Sequence, residues 1–136
     1  MKKIIVLLFL AVGFAFTSNA QLIAPKLVTT TSYSNTLDTV TNAGNKVTTA
    51  YKVTPFKNGV TAQVTVTKIS GTVGGSIVFQ GSMDGTNFTT IGSATTPSDA
   101  SATYAFNTTA AYYFYRVSYT GTGTMSASMR TYIYAY

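Results

Sequence analysis

Residues 76–91 read SIVFQGSMDGTNFTTI, and this stretch decides the fold class of the chain. The apolar run IVF is followed by the turn-forming sequence MDGTN at 83–87, and FTTI at 88–91 then returns. An Asp-Gly pair between two such runs indicates a β-hairpin, because glycine takes a positive φ at little cost and aspartate bonds to nearby backbone. The length of the connection predicts a loop wider than a two-residue turn.

The rest of the chain has the same strand-and-turn character. At 60–68, valine and alanine alternate with threonine and glutamine, which predicts a strand with one face on the core and one in water. Further strands are predicted at 27–40 (as an edge strand or arm), 47–53, 102–106, 112–119 and 125–136. Seven or eight short strands without a helical period predict an all-β fold. We expect an antiparallel β-sandwich of immunoglobulin-like or jelly-roll-like type, with a small barrel as the alternative.

The N-terminus has the three parts of a secretory signal peptide. Two lysines precede an apolar run at 4–16, and small residues lie before a cleavage site after Ala20. The apolar run is short for a membrane anchor. We therefore expect a signal peptide at 1–20 and a single domain at 21–136 with no membrane span. The protein would be exported to the periplasm, the cell surface or the medium, and its signal resembles those of Bacteroidota.

Composition argues against nucleic-acid binding. Charged residues make up only 9% of the chain. Without the two lysines of the signal peptide, seven basic residues remain against three acidic ones, and they are scattered along the sequence. A nucleic-acid-binding domain normally shows a denser basic patch.

Composition also argues against catalysis. The chain has no histidine, cysteine or glutamate, and its only acidic side chains are Asp38, Asp84 and Asp99. General acid–base catalysis, an activated nucleophile and a zinc site all draw on the missing residue types. We therefore predict a protein that is not an enzyme and that needs no cofactor. Calcium at Asp84 is an alternative, but forming the turn already explains that residue.

The candidate binding surface is a row of aromatic residues on the last strand. Tyr132, Tyr134 and Tyr136 share one face of this strand with Arg130. Tyrosine rings combine a flat apolar area with a polar tip, which suits stacking on sugars or on a protein partner.

Tyr112 and Phe114 extend this row if their strand forms a hairpin with the last one through the loop TGTGT. In the alternative arrangement, the tyrosine face packs against the second sheet. The methionine, alanine and isoleucine face of the last strand would then point outwards or meet a neighbour.

The segment 80–92 also carries a resemblance, through Ser82, Asp84, Gly85 and Phe88. It is similar to the central hairpin of discoidin-like (F5/8 type C) carbohydrate-binding domains and to a hairpin of accessory structural proteins of tailed bacteriophages. The chain lacks tryptophan and the cysteine pair of many discoidin-like domains, so their ligand-binding loops are not carried over.

Two functions follow as expectations. The first is a secreted, non-enzymatic module that binds a glycan or a protein at the cell surface. The alternative is a structural subunit of a phage-derived virion, fibre or filament, with other copies of the chain as partners. In addition, Asp38-Thr39-Val40 fits the short O-glycosylation pattern of Bacteroidota, which makes Thr39 a candidate acceptor.

Overall fold

The computed structural model describes residues 26–28, 38–54 and 57–136. The predicted signal peptide at 1–20 lies outside this part of the chain, as does most of the predicted arm at 27–40. Every regular element among the described residues is a β-strand. The strands form two antiparallel sheets of five strands each. The predicted all-β class is confirmed.

The described residues contain ten strands. They are β1 (Lys26–Val28), β2 (Asp38–Thr41), β3 (Asn45–Val47), β4 (Tyr51–Lys52), β5 (Val60–Gly71), β6 (Ser76–Ser82), β7 (Thr89–Thr95), β8 (Ala102–Thr108), β9 (Phe114–Thr120) and β10 (Met125–Ala135). In the first sheet, β1 and β2 lie along one side of β10, followed on the other side by β5 and β8. In the second sheet, β3 and β4 lie along one side of β9, followed by β6 and β7.

The strand count exceeds the predicted seven or eight because two short strands share one edge position in each sheet. The strand predicted at 47–53 is split into β3 and β4 around Thr48. The Thr48 hydroxyl accepts a hydrogen bond from the Val117 N–H at 3.0 Å, and the Thr48 N–H donates to the Val117 carbonyl at 2.9 Å. A side chain thus replaces one rung of the backbone ladder, so the strand is interrupted without leaving that N–H unpaired.

The core lies between the two sheets, as expected for a β-sandwich. On β5, the alternating residues Val60, Ala62, Val64 and Val66 are buried, which confirms the predicted strand and its inner face. Across the interface, the Phe79 ring of β6 lies 6.2 Å from the Phe106 ring of β8. Burying side chains of this size contributes about 1.5–3 kcal/mol each.

The inner face of β10 is the aliphatic one. Its buried hydrophobic residues are Met125, Ala127, Met129, Ile133 and Ala135. Tyr132 and Tyr134 lie on the opposite, outer face and are half-buried. The alternative in which the tyrosine face packs against the second sheet is therefore wrong.

The hairpin proposed between the last two long strands does not form. β9 pairs with β6, β3 and β4, whereas β10 pairs with β5, β1 and β2. The loop between β9 and β10 thus crosses from one sheet to the other. This crossing lets Tyr119 and Met125 face each other in the core, with the Tyr119 hydroxyl 3.7 Å from the Met125 sulfur.

The hairpin at 76–91 does form, between β6 and β7. Its pairs Gly81↔Thr89, Gln80↔Thr90 and Phe79↔Ile91 follow the turn in regular register. A bulge then separates Phe79 from Ile77 in the ladder. The hairpin places Phe79 in the core and its turn at one end of the sandwich.

Candidate interaction surfaces

The turn after β6 is closed by the carboxylate of Asp84. Its Oδ1 atom accepts hydrogen bonds at 2.8 Å from the Ser82 hydroxyl and from the backbone N–H groups of Thr86 and Asn87. Its Oδ2 atom accepts another from the Asn87 side-chain amide at 2.7 Å. Gly85 adopts φ 77°, which glycine takes without strain. Three of the residues that carry the resemblance to other hairpins, Ser82, Asp84 and Gly85, therefore have turn-forming roles here.

The same donors set the acidity of Asp84. The backbone N–H of Asn87, followed by that of Thr86, holds the pKa of Asp84 well below its usual range, because these bonds stabilise the carboxylate. Both carboxylate oxygens already accept hydrogen bonds, so a calcium ion would compete with these donors for the carboxylate. Across the described ranges, no group of three or more acidic, cysteine or histidine side chains is placed to hold a metal ion.

Arg116 connects this hairpin to the centre of the second sheet. Its Nε–H donates a hydrogen bond to the Gln80 side-chain oxygen at 2.8 Å. Its guanidinium carbon lies 3.7 Å from the centroid of the Phe88 ring, which is a cation–π contact. Partial burial lowers the pKa of Arg116, although an arginine stays protonated in proteins. The aromatic residue of the hairpin motif thus has a structural partner that the sequence analysis did not identify.

Asp99 fastens the loop before β8 to the opposite end of the sandwich. Its carboxylate accepts hydrogen bonds from two donors. The Lys68 ammonium lies 2.9 and 3.0 Å from its two oxygens, and the Val73 nitrogen lies 2.6 Å from Oδ1. The hydrogen bond from Lys68 is the main cause that lowers the pKa of Asp99. Asp99 therefore stabilises the loop before β8.

The predicted tyrosine row exists in part, on the outer face of the first sheet. Tyr132 and Tyr134 project from β10 on this face, and the exposed Arg130 lies on it as well. The Tyr134 and Tyr136 rings are stacked, with centroids 6.1 Å apart and planes inclined by 24°. Four of the six predicted binding residues are thus brought together.

The strand beside the tyrosine row presents polar side chains. On the same outer face, the Thr61 hydroxyl donates to the Asn107 side-chain oxygen at 2.8 Å, and the Thr65 and Thr103 hydroxyls are hydrogen-bonded at 3.0 Å. Gln63 lies between them, exposed. The face is therefore polar here, and the tyrosines lie beside this polar strand on β10.

The other two predicted binding residues lie elsewhere. Tyr112 precedes β9 and packs edge-on against the core residue Tyr115, with ring centroids 6.1 Å apart and planes at 85°. Phe114 begins β9 on the outer face of the second sheet, where the Lys52 ammonium lies 5.9 Å from its ring. They do not extend the row, because β9 and β10 belong to different sheets.

A second surface, which the sequence analysis did not identify, lies at one end of the sandwich. A cleft of about 240 Å³ is lined by residues that include Met83, Tyr113 and Gly59. Met83 is 57% exposed and Tyr113 is 46% exposed. Tyr136 is 49% exposed, and its carbonyl accepts the Gly59 N–H at 3.1 Å, so it belongs to the same end. We call Met83, Tyr113 and Tyr136 with this cleft the end surface.

The loops that form the end surface are tied together by hydrogen bonds. The Tyr113 N–H donates to the Ser82 carbonyl at 3.1 Å, and its own carbonyl accepts the Val53 N–H at 2.8 Å. Nearby, the buried Tyr115 hydroxyl donates to the Ala110 carbonyl and accepts the Tyr112 N–H. Two connections, those after β6 and β8, are therefore held in one arrangement, which reduces the entropy that a partner would have to remove on binding.

Thr39, the candidate acceptor for O-glycosylation, lies in β2. Its side chain is exposed, while its neighbours Asp38 and Val40 are buried. The hydroxyl is accessible, and its modification stays a prediction. Nowhere in the part of the chain that the structure covers is there a helix long and apolar enough to span a membrane.

The sequence matches no protein-family profile, and a search of curated proteins finds no match either. Among solved structures, the fold is similar to the crystal structure of the PBSX exported protein XepA, with a TM-score of 0.59 and 11% sequence identity. The match covers 82% of this chain but 36% of XepA, so this chain corresponds to about a third of that protein. Similarity to discoidin-like domains is not shown. At this level of identity the likeness concerns the fold alone, which this chain shares with part of an exported protein.

Proposed function

We propose that this protein is an exported structural subunit without enzymatic activity. It assembles with other protein subunits through its end surface. The observation that carries this proposal is the position of its exposed apolar residues. Of the four large hydrophobic side chains exposed in the described ranges, three form the end surface: Met83, Tyr113 and Tyr136. Clustered exposed apolar side chains mark interaction surfaces more than scattered ones do.

The chemistry of the end surface favours a protein partner. Tyrosine and methionine are enriched at the centres of protein interfaces, and the fixed loops around Tyr113 lower the entropic cost of association. The end surface contains no acidic residue, and Lys57 is the one charged residue along its cleft in the described ranges. The N-terminal signal pattern and the fold shared with XepA support export, to the periplasm, the cell surface or the medium.

The three aspartates support a structural role over a catalytic one. Asp84 is engaged by its turn, and Asp99 by Lys68 and the Val73 N–H. Asp38 is buried in β2. It pairs with Met129 in the middle of β10 and does not line the cleft of the end surface.

The proposal is tested by charge introduced at the end surface. Tyr113→Asp should weaken assembly at least tenfold in dissociation constant, because a buried unpaired charge costs more than 1.4 kcal/mol. Ile69→Asp is the matched control, since Ile69 is 58% exposed and lies near the other end of the sandwich, in the last part of β5. Equal effects of the two substitutions, measured by light scattering over a concentration series, would argue against the end surface.

A second candidate function, glycan binding, is favoured by the outer face of the first sheet. There the stacked Tyr134 and Tyr136 rings adjoin the hydrogen-bonded pair Thr61 and Asn107. Retention on immobilised polysaccharides should fall on Tyr132→Ala or Tyr134→Ala and stay unchanged on Phe114→Ala, which lies on the other sheet. Wild-type protein that no polysaccharide retains would remove this candidate.

A further inference from the structure

The sandwich has four sheet edges, and they differ in how well they are closed. An open edge presents unpaired backbone N–H and C=O groups that can accept a strand from another chain, and natural proteins usually block such edges with bulges, charges or short strands. In the part of the chain that the structure describes, three of the four edges are blocked in one of these ways, and β8 is not.

Two edges consist of short strands. The edge beside β10 is made of β2 with four residues and β1 with three. The edge beside β9 is made of β3 with three residues and β4 with two, and the Thr48 hydroxyl fills the gap between them. Neither edge offers a long continuous row of backbone groups.

The third edge, β7, is bulged. Its ladder with β6 passes from Phe79↔Ile91 directly to Ile77↔Thr95, so that extra residues of β7 lie between these pairs. Gly92, at the start of this bulge, has φ 71°, a left-handed conformation that breaks the strand's regular pleat. The bulge prevents regular pairing along the whole strand.

The fourth edge, β8, is regular and uncharged. It pairs with β5 through seven consecutive residues, from Val60↔Thr108 to Val66↔Ala102, without a shift in register. Its sequence ATYAFNT contains no charged residue, proline or glycine. No strand in the described ranges pairs with its other side. In an antiparallel ladder, alternate residues direct their N–H and C=O groups to each side, so β8 has a row of them that no described strand pairs with.

We infer that β8 pairs with β8 of a second copy, antiparallel and about a two-fold axis, so that the first sheets of two copies form one continuous sheet. The inference rests on the proposed role as a subunit but names a different surface from the end surface. A second copy is the partner that the strand's own composition favours. Two-fold pairing sets the strand against a second copy of itself, and a strand without charges avoids repulsion between like charges in that arrangement.

The register that pairs β8 over its full length, Ala102–Thr108, has the middle residue Ala105 at the two-fold axis. With Ala105 at the centre, Ala105 faces its own counterpart and Thr103 faces the counterpart of Asn107 on the outer side. On the inner side, Tyr104 faces the counterpart of Phe106, which makes an aromatic cross-strand pair at the border of each core. Thr103, Ala105 and Asn107 are all exposed in the single chain and leave room for a neighbouring strand.

The experiment uses the full exported chain and exploits its lack of cysteine. In Ala105→Cys, the two introduced thiols would lie within the distance that a disulfide spans, and mild oxidation should yield a covalent dimer. Ser93→Cys on the bulged edge β7 is the matched control, because Ser93 is also exposed on an edge strand. It should remain uncrosslinked under the same conditions.

A second variant tests the pairing without covalent chemistry. Ala105→Lys should lower the native mass of the dimer by a factor of two, because two lysines would meet at the axis. Gln63→Lys, opposite Ala105 on the neighbouring strand β5 and on the same outer face, should leave the mass unchanged. Circular dichroism of each variant establishes that the β-sheet content is kept.

The outcomes separate the two ideas. The pairing of β8 is overturned if Ala105→Lys leaves the wild-type oligomer intact and Ala105→Cys forms no cross-link. In that case the role as a subunit still stands if Tyr113→Asp dissociates the oligomer. A wild-type protein that is monomeric at every concentration overturns both. Cross-linking at Ala105 together with the loss of mass in Ala105→Lys supports the inference, whatever Tyr113→Asp does.

Discussion

The guanidinium carbon of Arg116 lies 3.7 Å from the centroid of the Phe88 ring, and the Arg116 Nε–H is bonded to Gln80. This contact fastens the end of the β6–β7 turn to the central strand of the second sheet. Through it, the hairpin that carries Met83 is fixed relative to β9, whose preceding loop carries Tyr113. The contact adds to the backbone ladder that already joins β6 to β9 over seven residue pairs.

Replacing Arg116 by lysine should destabilise the fold by about 1 kcal/mol, because lysine cannot keep both the planar stacking and the directed hydrogen bond. Urea unfolding measures the loss. Arg130→Lys is the control, since Arg130 is exposed on the other sheet and should change stability by much less. An additive double mutant with Phe88→Leu would show that the two side chains are not coupled.

Two buried threonines should respond in opposite ways to the same substitution. Thr131 is buried on the inner face of β10, and its hydroxyl is the one buried side-chain N or O atom without a hydrogen-bond partner in the described residues. Thr131→Val removes this unsatisfied group and should stabilise the protein by about 1 kcal/mol. Thermal and urea unfolding should agree on the sign.

Thr48→Val should instead destabilise the protein by about 1–3 kcal/mol, because it leaves the Val117 N–H without its acceptor. It is the matched partner of Thr131→Val, as both threonines are buried and the chemical change is identical. Equal effects of the two substitutions would contradict the roles assigned to the two hydroxyl groups.

Acid should weaken the fold in part through Asp84. Its pKa is lower in the folded protein than in the unfolded chain, so the unfolded chain binds the proton more readily as the pH falls. The stability that Asp84 contributes is complete above about pH 5 and declines progressively at lower pH. In Asp84→Asn, the fall in the urea midpoint between pH 7 and pH 3 should be smaller than in the wild type.

Asp99 contributes with the same sign, since Lys68 lowers its pKa as well. Asp84→Asn combined with Asp99→Asn should therefore flatten the pH dependence further than either change alone. If the single and double variants lost stability with acid as steeply as the wild type, the hydrogen bonds of these carboxylates would not control the acid response.

Tyr115→Phe should loosen the end surface without changing its exposed residues. The Tyr115 hydroxyl donates to the Ala110 carbonyl and accepts the Tyr112 N–H, so its removal takes a partner from two backbone groups of this loop. We expect a loss of about 1–2 kcal/mol in folding stability, together with faster amide exchange in the loop before β9. Unchanged exchange there would show that the hydroxyl does not order the loop.

The strands and the hairpin were within reach of the sequence, because their signals are local. The alternation from Val60 to Val66 predicted the inner face of β5, and Asp84-Gly85 predicted the turn. The faces of β10 were not decided locally, since one side is aliphatic and the other aromatic. Only the packing of the two sheets places Met129 inside and Tyr132 outside.

The pairing partners of β9 and the end surface depend on the whole fold. A glycine-rich loop at 120–124 can join two strands within one sheet or across two, so Tyr112 and Phe114 were wrongly placed beside Tyr132. Met83 and Tyr113 are single apolar residues in separate loops, and neither has a periodic signal. Their meeting at one end is visible only in three dimensions.

The central claim, that this protein is a subunit of an assembly, is tested most directly by the native mass of the purified wild-type chain. Light scattering over a wide concentration series should show a defined oligomer or a mass that rises with concentration. A mass equal to one chain at every concentration would contradict the claim and leave glycan binding by Tyr132 and Tyr134 as the function to test.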